Sequence, residues 1–405
     1  MKFSCAVLVV LACCAGYQVQ VQAARSGERV VVPRDGTNPV IGPPMQRASD
    51  FTGNWDFFPE ASGLYNGLIS PRNEVIPERS GGFRITVCSD GCFSGNFAVG
   101  GDTVSIHGHF NSQGWAGVSI YRWVWDYCGC FRYLVLEWNV ILELVEDSDE
   151  ITGTIVNEWD GGWVTDLYGL QAYYRETGIT APQAGRYTMR LPGSSDAAVA
   201  PPGDGYGTLT VDSRGLVQVF GMLPDGVKFS DSVYISVDGF WPLAFSLNNG
   251  HGIVSGWVQF TVAGGMELAG DVTWIKSRDE DRKLYPNGFQ GTLAATGGIY
   301  TPPANGGSPF SWSDGQFLVS EGNVTGIAAN SVSFASGKFV DQGGDLSGLK
   351  FNLNKKNGSF SGSFSHPDTG KKTSFAGAVF QFEDAGGGYF QGTDVGGIVR
   401  LIGGL

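Results

Sequence analysis

Histidine and methionine are scarce in this chain, with four of the first and five of the second among 405 residues. No stretch beyond the N-terminus approaches 18 consecutive apolar residues, so no transmembrane helix is expected. Periodicity at 3.6 residues, the mark of long amphipathic helices, is missing as well. Enzyme motifs are wanting too: there is no G-x-S-x-G elbow, no H-E-x-x-H helix and no phosphate-cradling loop. Carboxylates for glycoside hydrolysis could be drawn from many Asp and Glu residues, but nothing singles out two. No catalytic residue, cofactor or metal is therefore assigned. Basic residues are in deficit, 26 Lys and Arg against 39 Asp and Glu, for a formal net charge of −13. Nucleic acids select basic surfaces, so no nucleic-acid partner is expected.

Cysteine is sparse and unevenly placed. Three of the seven cysteines (Cys5, Cys13, Cys14) fall in the first 24 residues. There, Lys2 precedes an apolar run from Phe3 to Ala15, and a polar stretch ends in Val21-Gln22-Ala23-Ala24. This reads as a secretory signal over residues 1–24, cut after Ala23 or Ala24 and too short to span a bilayer. Val10-Leu11-Ala12-Cys13 loosely resembles a bacterial lipobox, which would instead leave a lipid anchor on Cys13. The remaining Cys88, Cys92, Cys128 and Cys130 are even in number, and in an exported chain they read as two disulfides. Cys88 and Cys92 flank Ser89-Asp90-Gly91 and could clip that hairpin across its neck. Alternatively, both could bridge to the Cys128-Gly129-Cys130 turn, or all four thiolates could hold zinc.

What the chain has in excess is glycine, 62 residues, about twice the ~7% of ordinary chains. Much of it sits in a recurring pentapeptide, Gly-x-(Phe/Val)-(Ser/Thr)-Gly. The copies are Gly91-Cys92-Phe93-Ser94-Gly95, Gly252-Ile253-Val254-Ser255-Gly256, Gly322-Asn323-Val324-Thr325-Gly326 and Gly358-Ser359-Phe360-Ser361-Gly362. Each reads as a turn running into an alternating strand, with both glycines and the Phe or Val on one face. Glycine weakens a strand, so its fixed position calls for curvature, with an aromatic covering the bare backbone.

A second signature divides the chain: Ser62-Gly63-Leu64-Tyr65, Ala184-Gly185-Arg186-Tyr187 and Gly297-Gly298-Ile299-Tyr300. After a Pro- and Gly-rich tether over 25–50, it marks β units at 51–177, 184–296 and 297–405. Leu167-Tyr168 and Leu284-Tyr285 echo each other near the ends of the first two. In the middle unit, strands are expected near 185–191, 205–212, 215–223, 227–237, 241–247, 252–262, 267–276 and 288–294. Eight sequential antiparallel strands can close on themselves with side chains filling the interior, which also removes edges. The expected fold is all-β: antiparallel meanders in tandem repeats, forming small up-and-down β-barrels whose closure the sequence leaves open.

The stretch from Gly185 to Leu401 carries Gly205-Tyr206-Gly207-Thr208-Leu209-Thr210-Val211-Asp212, Phe240-Trp241-Pro242-Leu243 and Gly256-Trp257-Val258. With the pentapeptide at Gly358 it resembles Gly-rich β-repeat modules of exported and surface bacterial proteins, over a little more than half the chain. That resemblance implies fold and export, and it brings no activity or catalytic residues.

Candidate binding residues lie in the first unit. Tyr121, Trp123, Trp125 and Tyr127 share one face of a strand, with Arg122, Val124 and Asp126 on the other. Because the second set suits solvent, the aromatic row is expected to point inward as core; otherwise it is a stacking platform for carbohydrate. His107 and His109 share a strand face but lack a third ligand nearby. Glu146-Asp147-Ser148-Asp149-Glu150 is acidic but lacks the spaced oxygens of a calcium loop. The functional expectation is an exported, non-catalytic binding or structural module, with polysaccharide or another surface component as partner. A carbohydrate-binding role for the aromatic face is the alternative, and a secreted hydrolase the third.

Overall fold

The computed structural model describes residues 59–404, apart from 73, 126, 127, 129–131, 160, 161, 174–179, 262–266, 305, 306 and 336. The expected signal, the tether and Cys13 lie outside the described residues, as do Tyr127 and Cys130.

The described chain is all-β, built as three eight-stranded antiparallel sheets in tandem. The first contains β1 (Gly63–Ser70), β2 (Gly81–Val87), β3 (Cys92–Val99), β4 (Asp102–His109), β5 (Trp115–Trp125), β6 (Arg132–Leu144), β7 (Glu150–Asn157) and β8 (Trp163–Gln171). The second contains β9 (Gly185–Leu191), β10 (Gly205–Val211), β11 (Leu216–Met222), β12 (Lys228–Tyr234), β13 (Phe240–Leu247), β14 (Gly252–Thr261), β15 (Glu267–Lys276) and β16 (Phe289–Ile299). The third contains β17 (Asp314–Glu321), β18 (Ile327–Ala335), β19 (Lys338–Gly344), β20 (Ser347–Leu353), β21 (Ser359–Ser365), β22 (Lys372–Phe380), β23 (Ala385–Gln391) and β24 (Gly396–Gly403).

Each sheet is a meander in which the first strand pairs with the last: β1 with β8, β9 with β16, β17 with β24. The barrel is thus complete except for one seam. In the first two barrels the seam separates the fourth and fifth strands, and in the third it separates the third and fourth. Pro242 on β13, a seam strand, fits this placement, because proline has no N–H to give to a ladder. Each barrel has its own apolar interior, including Tyr65, Phe97 and Leu142 in the first, Tyr187, Trp241 and Trp274 in the second, and Phe317, Phe364 and Phe390 in the third.

The pentapeptide glycines explain how these sheets coil so tightly. In three copies the second glycine lies in a strand (β3, β14 and β21). A Cβ there would fall on a neighbouring strand's carbonyl oxygen, that of Arg84 for Gly95, Asp271 for Gly256 and Lys350 for Gly362. Rings inside the barrel fill the space that glycine leaves: Phe83 covers Gly67 and Gly169, and Phe390 covers Gly397. The copy at Gly322–Gly326 differs. It forms the β17–β18 turn, with positive φ at Gly322, Asn323 and Gly326. The signature tyrosines also divide. Tyr65 and Tyr187 each donate from the phenol to a carbonyl four residues upstream, Ala61 at 2.9 Å and Gln183 at 2.6 Å. Tyr300 follows the last strand of the second barrel and donates to Lys355 O at 2.9 Å.

The barrels dock on one another. Between the first two, Asn66 Nδ2 donates to Tyr234 O at 3.1 Å and Arg84 Nη2 to Ser232 O at 2.6 Å. Between the second and third, Tyr206, Ala378, Phe380 and Tyr389 form a small apolar cluster of their own. Beside it, Asp204, 1% exposed, lies between the guanidinium groups of Arg190 and Arg400.

Burial pushes the phenols of Tyr187 and Tyr300 up to about 12, and raises that of Tyr389 as well. An unfolded phenol titrates near 10. The folded chain therefore holds these protons to higher pH, and the stability they contribute is present below about pH 10 and lost as pH rises toward 12. Thermal melts followed by circular dichroism are expected to give a level melting temperature from about pH 8 to 10 and a steep decline above it. A flat profile to about pH 12 would contradict this assignment.

Candidate functional site: an aromatic ribbon on the first barrel

Antiparallel order places the β1–β2 loop, the β3–β4 turn, the β5–β6 hairpin and the β7–β8 turn at one end of the first barrel. At that end β5 and β6 outrun their neighbours. β7 pairs with β6 only from Trp138 onward, and β5 is a seam strand. Residues 121–125 and 132–136 consequently ladder only with each other, as a two-stranded ribbon projecting past the barrel. A bulge at Glu137 marks where the ribbon leaves the sheet, a common device for re-aiming a strand.

The ribbon carries the aromatic row, and here the inward reading is corrected. Trp123 is 63% exposed, Trp125 53% and Tyr121 37%. The inward-facing alternates along β5 are Ala116, Val118 and Ile120, and that parity continues through Arg122 and Val124. Past the end of the barrel no interior remains for either face to enter. Arg122 instead reaches back, pairing with the nearly buried carboxylate of Glu137 and approaching Asp102 Oδ2 of β4 across the seam at 3.8 Å. This tie braces the root of the ribbon.

Register supplies residues that the sequence reading did not name. Tyr121 lies opposite Leu136, Trp123 opposite Leu134, and Trp125 opposite Arg132. The Arg132 guanidinium stacks over Trp125 at 4.3 Å, a cation–π contact that fixes the outermost indole. Leu134, 38% exposed, widens the apolar strip between them. Trp159, 41% exposed, stands in the β7–β8 turn at the same end. Trp163 anchors that turn, packing on the buried Trp138 at 6.2 Å and beneath Arg79 at 5.9 Å. Signals for Arg132 and Leu134 existed only in pairing, which a single strand cannot reveal.

The cysteines separate. Cys88 and Cys92 form a disulfide across the β2–β3 turn, with Cα atoms 5.1 Å apart. Cys128 is exposed in the β5–β6 turn, at the opposite end of the barrel. Bridges between the two cysteine pairs, and a zinc site shared by all four, are thereby overturned, because the meander sends alternate turns to opposite ends. The Cys88–Cys92 loop is short, so replacing both residues by serine is expected to cost the first barrel at most about 2 kcal/mol. Chemical denaturation under oxidising conditions reads that difference directly.

His107 and His109 both face outward on β4, opposite Ser94 and Cys92. The other two histidines lie in different barrels. His251 is exposed, and the buried His366 has Nε2 3.0 Å from Gly322 O, a structural role. The acidic turn is exposed over 146–149, and the half-buried Glu150 that follows it accepts from the Tyr168 phenol at 2.8 Å.

No family model matches the chain, and no curated protein matches it. Among solved structures it is similar to a mutant of the vaccine antigen transferrin binding protein B from Haemophilus parasuis. That match has 8% identity, covers 84% of this chain and 75% of that one, and has a TM-score of 0.18. At that score the site has to be argued from its own residues.

Proposed function

We propose that this chain is an exported, non-catalytic binding protein, and that the ribbon of the first barrel is its contact surface for a polysaccharide. The observation that carries the reading is the exposure of Trp123 and Trp125 on a braced projection. Two indoles and a phenol are ordinarily among the most profitably buried side chains. Held at alternate positions of one strand, they present a flat row with a repeat of roughly 7 Å, suited to an extended amphipathic chain. A purely structural spacer has no use for them. Export is supported by the N-terminal apolar run followed by small residues and by the Cys88–Cys92 disulfide, a bond characteristic of oxidising compartments.

Sedimentation with insoluble cellulose, chitin and peptidoglycan tests the reading. Wild type is expected to partition with at least one of them. Trp123→Ala is expected to weaken that partition at least about tenfold, with less than about 0.5 kcal/mol change in stability, as for an exposed site. Binding unchanged by Trp123→Ala would overturn it. So would a loss of 3–5 kcal/mol, roughly the cost of emptying a core position.

A further inference from the structure

Where the first two barrels meet, a cleft of ≈ 440 Å³ opens between their outer walls. Its size is within the usual range for small-molecule sites, and its lining is built in matching halves. On the first barrel, β1 and β8 pair Leu68 with Tyr168 and Ser70 with Asp166, all facing outward into the cleft. On the second, β14 offers Ser255 and Trp257, and β15 offers Thr273 and Asp271. Each wall therefore contributes one aromatic ring and one carboxylate, with Ser70 on the first side and Ser255 and Thr273 on the second.

The rings meet at the junction. Tyr168 and Trp257 have centroids 5.9 Å apart and planes at 72°, so their faces form the two sides of a corner. The Tyr168 phenol is committed to Glu150, and with burial foremost this pushes it up to about 12, so the ring stays neutral and electron-rich. Among the cleft's lining residues there are two carboxylates and no cationic side chain. The chain's own Arg72, reaching in from the rim, already donates to Asp166 Oδ2 at 2.8 Å. Asp271 has no ion-pair partner among the described residues. A corner of two π faces flanked by carboxylates attracts a cation large enough to touch both rings.

We propose that this cleft is a binding site for a small organic cation of the quaternary ammonium class, formed only when the two barrels are docked. The cation sits against the faces of Tyr168 and Trp257, with Asp271 supplying the counter-charge and Asp166 held by Arg72 on the opposite wall. A hard metal ion would gain nothing from the rings, and an anionic ligand would be repelled. The site is independent of the ribbon, shares no residue with it, and stands or falls separately.

Isothermal titration of the full chain with tetramethylammonium and with choline tests the proposal, using 3,3-dimethylbutan-1-ol as choline's neutral isostere. Saturable one-to-one binding of both cations is expected, with the isostere weaker by about tenfold or more. Trp257→Ala is expected to reduce cation affinity about tenfold. Because Trp257 also packs at the junction, Asp271→Asn serves as the second variant. Its residue is exposed, so the melting temperature should hold while cation affinity falls several-fold. Trp123→Ala should leave the titration unchanged. Equal binding of the neutral isostere, insensitivity to Asp271→Asn, or saturation by a neutral oligosaccharide in place of the cations would each overturn it.

Discussion

Replacing Asp204 by alanine is expected to destabilise the chain by about 3–5 kcal/mol. The carboxylate is 1% exposed and stands between two guanidinium groups from different barrels, Arg190 of β9 and Arg400 of β24. Its own N–H donates to Gly388 O at 3.1 Å, so the residue is pinned by backbone as well. With the anion gone, two positive charges face each other at a partly buried junction, and only Glu383, 3.2 Å from Arg190, remains to balance them. Denaturation followed by tryptophan fluorescence should show the last two barrels losing stability while the first unfolds as before. Since the group is shielded from solvent, added salt should recover little of the loss. A change below about 1 kcal/mol would mean that the apolar cluster of Tyr206, Phe380 and Tyr389 docks the barrels without it.

The second large effect concerns glycine. Gly95→Val is expected to cost about 3 kcal/mol, the upper end for overpacking, because the obstacle is backbone and cannot rotate away. A side chain there meets the carbonyl oxygen of Arg84 and lies 2.9 Å from the Cα of Ile85. Gly291→Val on β16 is the control, since a Cβ at that position has nothing within 4 Å. It should be neutral or mildly stabilising, as valine suits strands better than glycine does. Equal melting temperatures for the two variants would refute the steric account of the pentapeptide.

The sequence made the architecture readable to a good depth. The eight strands expected in the middle unit correspond one for one to β9 through β16, with ends shifted by a few residues. Turn glycines and period-2 alternation are local signals, so they survive without knowledge of the partner strand. Signals that depended on context failed. The Gly322 pentapeptide became a turn, because Glu321, Gly322 and Asn323 take positive φ in succession and bend the chain. Leu167-Tyr168 and Leu284-Tyr285 matched as text, yet Tyr168 faces the cleft while Tyr285 is buried with a φ of 55°. The aromatic row pointed the wrong way for a similar reason. Alternation tells which side chains share a face, but not whether that stretch of strand still has a barrel behind it.

Pairing of first strand with last has a consequence for how the chain is made. Six of the seven strand pairings in each barrel join consecutive strands and can zip as soon as both have emerged, which favours rapid local folding. The closing partner comes last: Gly63 begins β1, and its mate β8 ends only at Gln171. At ordinary rates of synthesis that interval is on the order of 10 s, during which β1 presents a naked edge. Each barrel therefore passes through a stage when it is an open template for foreign strands, and this recurs with every unit. For that first strand, as distinct from the seam strands, the hazard is kinetic and vanishes on closure, so conditions that slow elongation should raise aggregation without altering the finished protein's stability.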